Sequence, residues 1–142
     1  MKTDLGFYIK KLENLLQRQA YKAYHGKNDN DYSLMNMWIT DFLTDHESKD
    51  IFPKDIEEEF FITRATTSKM LALMEKKELI ARESVPEDGR LKKIVLLPKG
   101  KELQKKCIQM RDKIEEKLTV NLTEEEKNQF LIISKKIIDG IS

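Results

Sequence analysis

Residues 60–100 read FFITRATTSKMLALMEKKELIARESVPEDGRLKKIVLLPKG, and the order of patterns within them decides the fold. The first half is helical. Thr67, Met70, Leu71 and Met74 recur at i, i+3, i+4 and i+7, which lines up one inward stripe. Thr63 stands just ahead as an N-cap, since its hydroxyl can accept from the free N–H groups of the first turn. The opposite face carries Ala65, Ser68, Lys69 and Ala72. The second half holds two β-like runs, Leu79 to Ser84 and Leu91 to Leu97. A charged tip, Glu87-Asp88-Gly89-Arg90, joins them behind Pro86. Gly89 is expected to supply the backbone angles of a tight turn.

Working outward, Pro53 suits the first position of a short helix through Phe60, because its missing N–H costs nothing there. Ile56 and Phe60, four apart, bury together. Phe61 to Thr63 is then a three-residue turn between two helices. Ile51-Phe52 reads as a very short strand before them. Residues 5–24 form a longer helix with Leu5, Tyr8, Ile9, Leu12, Leu16 and Ala20 on one face. Gly26 is its stop, and residues 27–32 are a polar connector. A helix from Ser33 to Thr44 turns Met35, Trp38, Ile39, Phe42 and Leu43 inward, and residues 45–50 are an acidic loop.

Beyond the hairpin, a helix from Lys99 to about Val120 carries Leu103, Cys107, Met110, Ile114 and Leu118 in line. Thr123 and Glu126, at capping-box spacing, start a last helix. It runs to Asp139, with Phe130, Ile133 and Ile137 inward and Gly140 as the stop. The fold class is mainly α with a small β-wing. Residues 1–142 read as one domain, with a winged helix-turn-helix head at 33–100 on a helical dimerisation region at 1–26 and 101–142.

Charge sharpens this division. The net charge is only +1, and 36% of residues are charged against 39% hydrophobic. That polar balance suits amphipathic helices that bury part of their stripes against a second copy. Residues 41–60 hold eight acids and two bases, whereas residues 61–106 hold twelve bases and six acids. The basic block coincides with the helix and hairpin, and local positive charge is what phosphate contacts require.

No apolar run nears the ~18 residues of a membrane span. One cysteine excludes an internal disulfide framework and fits a reducing cytoplasm. Cys107 lies on an apolar stripe and reads as packing. His25 and His46 have no partners at metal-ligand spacing, so neither a metal site nor a cofactor is expected. No nucleophile elbow, phosphate loop or dinucleotide fingerprint occurs, and an enzyme is not expected.

The second helix of such a pair can enter the major groove of double-stranded DNA. Arg64, Thr66, Ser68 and Lys69 are the side chains placed to touch it, with Thr63 as cap and phosphate contact. Arg90 at the hairpin tip can reach an adjacent minor groove. Asp88, two residues before it, would orient Arg90 or brace the turn, since phosphate repels a carboxylate.

These residues resemble the MarR family of winged-helix transcriptional regulators, in order and spacing across nearly the whole chain. Thr66-Thr67-Ser68-Lys69 is similar to the family's T-V-T-R. Met74-Glu75-Lys76-Lys77-Glu78-Leu79-Ile80 is similar to L-E-K-K-G-L-V. Pro86-Glu87-Asp88-Gly89-Arg90, then Val95-Leu96-Leu97-Pro98-Lys99-Gly100, resemble the D-x-R wing and V-x-L-T-x-x-G. The resemblance implies DNA contacts at Thr63, Arg64, Thr66, Thr67, Ser68, Lys69, Asp88, Arg90 and Lys92. It also implies a homodimer on a pseudo-palindromic operator, and repression relieved by a small-molecule effector. The effector cleft is expected at Tyr8, Tyr21, Trp38 and Phe42.

Five positions depart from the pattern. Glu78 replaces a glycine, so another turn geometry is expected there. Leu97 replaces a threonine and removes a cap. Glu57, Glu58 and Glu59 make the first helix of the pair acidic, and are expected to point away from DNA. Their acidity is also the best argument for the alternative, a winged-helix module that binds protein instead of DNA.

Overall fold

The computed structural model describes residues 3–24 and 33–142. Its elements are α1 (Leu5–Tyr24), α2 (Leu34–Asp45), α3 (Pro53–Phe60), α4 (Arg64–Lys76), β1 (Ile80–Val85), β2 (Asp88–Leu96), α5 (Pro98–Thr119) and α6 (Glu124–Ile141). This is a mainly helical winged helix-turn-helix with one two-stranded antiparallel sheet. Gly26, His25 and the connector at 27–32 lie outside the described residues.

Local chemistry explains most boundaries. Ser33 caps α2, its hydroxyl accepting from Asn36 N–H at 3.2 Å. At α3, Phe52 N–H donates back to the Asp55 carboxylate at 2.8 Å, and Pro53 takes the first helical position. Thr63 caps α4 by accepting from Thr66 N–H at 3.1 Å. At α6 the capping box closes both ways: Glu126 N–H donates to Thr123 Oγ1 at 3.1 Å, and Thr123 N–H to Glu126 Oε1 at 2.9 Å. Leu97 precedes α5 with no side-chain cap, and Pro98 starts the helix.

The core lies between the head and α5. Ile39, Ile56, Leu71, Met74, Leu79 and Ile80 are almost wholly buried, with Ile94, Leu103 and Cys107 packed among them. Helix α3 packs on α4, α4 on β1, and α2 on both α5 and β2. Gly100 permits the tightest approach. A Cβ there would stand 2.3 Å from the Leu79 carbonyl oxygen and 2.6 Å from Leu96 Cδ1. Leu97 N–H donates to that same carbonyl at 2.9 Å, so the start of α5 is sewn to the end of α4.

Four details differ from the sequence expectations. Ile51-Phe52 is not a strand; Ile51 makes one bond with the wing, its carbonyl accepting from Ile94 N–H at 2.7 Å. The hairpin turns at Pro86-Glu87, and Gly89 lies in β2 without a positive φ. Register explains this: Ser84 pairs with Lys92 but Val85 with Asp88, so Gly89, Arg90 and Leu91 bulge out of the ladder. Gly140 does not stop α6, which continues to Ile141. An exposed helical glycine costs only about 1 kcal/mol against alanine, too little to end a long helix alone. Finally, Phe130 and Ile133 are exposed in the single chain, and α6 buries none of its residues.

Candidate nucleic-acid interface

Helix α4 sorts its side chains by face. Thr67, Leu71 and Met74 are buried against the head, with Met70 half-buried. Arg64, Ala65, Thr66, Ser68, Lys69 and Ala72 are exposed on the other side. Small residues there let a helix backbone approach a groove closely, and the two cations can meet phosphate or guanine. Thr67, also expected at the interface, donates its hydroxyl to the Thr63 carbonyl at 2.9 Å and is 1% exposed. Its hydroxyl therefore serves the first turn from inside. Thr63 donates to Thr66 Oγ1 at 3.0 Å while accepting from Thr66 N–H, which ties both hydroxyls at the helix start.

The wing presents Arg90 with its side chain 96% exposed. Asp88 Oδ1 accepts from Arg90 N–H at 2.9 Å and lies 3.9 Å from Arg90 Nε. Asp88 thus braces the bulged strand and keeps its carboxylate beside the guanidinium. An exposed pair at that distance contributes little stability, which leaves Arg90 available to a partner. Lys92 is exposed on the same strand, and Lys93 reaches Asp50 at 3.6 Å, joining wing to head. Glu58 and Glu59 are exposed on α3, with Glu58 3.9 Å from Lys54.

Both helices of the pair end in a left-handed residue that is not glycine: Phe61 with φ 53° and Glu78 with φ 61°. Glu78 thus keeps the conformation a glycine would favour, and no other turn geometry arises. The sequence signal missed at Phe61 was the chain's need for a left-handed residue after α3, with no glycine to supply it.

A second feature lies where α1, α2 and α5 meet. Leu16, Leu34, Met37, Trp38, Ile114 and Leu118 line a cavity of about 200 Å³, together with Cys107, Arg111 and Glu115. Of the four aromatic residues expected at such a cleft, the structure brings only Trp38 to this one. Tyr8 and Tyr21 are exposed on α1, and Phe42 packs against Phe60 and His46 instead. Arg111 was missed because it reaches the cavity only through α2–α5 packing, where its Nη2 lies 2.9 Å from Asp41 Oδ1. Gln104 Nε2 donates to the same oxygen at 3.1 Å.

A sequence model of the MarR family matches residues 35–91, the stretch that spans α2, the helix pair and most of the wing. Over that stretch the chain is similar to the MarR family. The transcriptional regulator HosA of Escherichia coli O111:H- is 31% identical to this chain over 78 residues, 55% of the chain. The chain spans 58% of that curated relative's length. The fold extends further than the sequence match. The crystal structure of MarR from Oenococcus oeni PSU-1 is 28% identical and aligns at a TM-score of 0.70, over 96% of this chain and 99% of that one. The S. aureus MepR–DNA complex aligns at 0.87 over 99% of this chain and 100% of that one, at 22% identity.

Proposed function

We propose that this chain is a homodimeric, sequence-specific DNA-binding repressor of transcription, of the MarR family. One observation carries the reading: Arg64, Thr66, Ser68 and Lys69 stand exposed on α4 opposite its buried stripe, and Arg90 stands 96% exposed on the wing. Ser68 and Lys69 would meet base edges and phosphates of the major groove, with Arg64 and Thr66 in support. Arg90 would enter the neighbouring minor groove, whose negative potential attracts guanidinium. The likeness in fold to a MepR–DNA complex supports DNA as the partner.

Surface area supports the dimer. The chain exposes 10832 Å², whereas a compact monomer of 16.7 kDa exposes about 7,600 Å². Apolar side chains stand exposed on α1 and α6, among them Leu5, Ile9, Leu12, Phe130 and Ile133. Homodimer interfaces commonly bury about 2,000–5,000 Å² in total, so a second copy is a sufficient explanation. A two-fold dimer would present two α4 helices to a pseudo-palindromic operator.

Relief by a small effector rests on the cavity between α1, α2 and α5. At about 200 Å³ it is smaller than the roughly 300–1,000 Å³ of typical ligand pockets. It suits a compact apolar molecule with one anionic group for Arg111, and Trp38 would report its entry by fluorescence.

Gel shifts on DNA from upstream of the protein's own gene test the reading across a salt series. Binding should weaken steeply with salt, because each phosphate contact releases counterions. Arg90→Ala should cost about 1–3 kcal/mol of affinity; unchanged affinity would remove the wing from the mechanism. The exposed Glu58 and Glu59 favour a second reading, docking to a basic protein. A folded dimer that ignores every duplex at low salt would select it.

A further inference from the structure

We infer that Phe61 is a further DNA-contacting residue, its ring laid against the deoxyribose and thymine-methyl edge of the groove that α4 enters. The inference rests on the DNA-binding reading above and adds a contact that neither charge nor motif points to.

Two independent observations meet at this residue. The first is backbone. The N–H groups of Phe61 and Ile62 both reach the Glu57 carbonyl, closing the end of α3 in the manner that places one residue in the left-handed region. Glycine serves that position without a steric penalty, whereas an aromatic side chain at φ 53° carries one. The second is exposure. Phe60 and Ile62 on either side pack against the core, while the Phe61 ring stands 66% exposed. The free protein therefore bears strain and a wetted aromatic ring at one position. Neither is needed by the fold, since a glycine would make the same turn.

Position supplies the partner. Phe61 is two residues from the N-cap of α4, so its Cα lies within about 7 Å of the Thr63 Cα. Phe61 is therefore a near neighbour of the turn that would enter a groove. Phosphates are met there by Arg64 and Lys69. The apolar matter at the same depth is sugar carbon and the thymine methyl, the surface with which phenylalanine makes contact. The contact is uncharged, so it releases no counterion and adds affinity that salt does not screen.

The test is fluorescence anisotropy of the full-length dimer with a duplex from upstream of its own gene, at several salt concentrations. It compares the wild type with Phe61→Gly and Phe61→Asn, both of which accept the left-handed backbone. Each variant should bind about tenfold more weakly, the size expected for uncovering one aromatic side chain. The slope of log affinity against log salt should stay at the wild-type value, whereas Lys69→Ala should lower it by about 1. The thermal midpoint of Phe61→Gly should rise by about 2–4 °C as the strain is relieved. Wild-type affinity in both variants, with the wild type bound, would overturn the inference and leave the DNA-binding reading standing. Loss in the glycine variant alone would trace the effect to a slackened turn and also overturn it. A wild type that binds no duplex would instead defeat the reading on which the inference rests.

Discussion

The head and the helical base use the same amphipathic code with opposite results. In the head, the apolar stripes of α2, α3 and α4 are spent within one chain, and Ile39, Ile56, Leu71 and Met74 are nearly inaccessible. In the base, the α5 stripe is buried against the head, but stripes of equal clarity on α1 and α6 stay in solvent. Leu5, Ile9 and Leu12 on α1 and Phe130 and Ile133 on α6 are all exposed, and α6 buries nothing. Its ties to the rest include one ion pair, Lys127 to Glu115 at 3.2 Å. Periodicity therefore states that a face will be buried without stating against which chain. The head's stripes find their partners within the chain, α5 among them; those of α1 and α6 would find theirs on a second copy.

The largest expected effect breaks the base alone. Phe130→Glu places a carboxylate where a partner's apolar face would sit. It should weaken dimerisation by about a hundredfold or more, read as a shifted monomer–dimer equilibrium in sedimentation. An unchanged equilibrium would mean that α6 is not part of the interface.

The next prediction sharpens the head. Gly100→Ala drives a Cβ into the Leu79 carbonyl and should cost about 1–3 kcal/mol in chemical denaturation. Gly89→Ala, with nothing within 4 Å of the added Cβ, should stay within about 0.5 kcal/mol. Equal effects would refute the close approach of α5 to the end of α4.

The smallest concerns the turn after α4. Glu78→Gly should stabilise the chain by about 1 kcal/mol, since it relieves a left-handed non-glycine residue. A lowered denaturation midpoint would show that the Glu78 side chain contributes more than its backbone strain costs.

Legibility in the sequence follows the same divide between local and distant causes. Thr63 and Thr123 announced their helices because a cap is a bond over three residues, and Pro53 did so through its own ring. The inward and outward faces of α4 were legible because they follow from a 3.6-residue period. The turn at Pro86-Glu87 was not, because three residues bulge from β2 and only the pairing of both strands reveals them. Arg111 and the cavity were hidden for the same reason, since they exist only once α5 lies on α2. Phe61 was overlooked because its position came from the closure of α3, with no side-chain motif to mark it.

Sedimentation equilibrium of the chain with a duplex from upstream of its own gene, at low salt, tests the central claim most directly. A dimeric repressor should give a complex of two chains on one duplex, which dissociates as salt is raised. A folded dimer sedimenting apart from free duplex, or one chain per duplex, would contradict it.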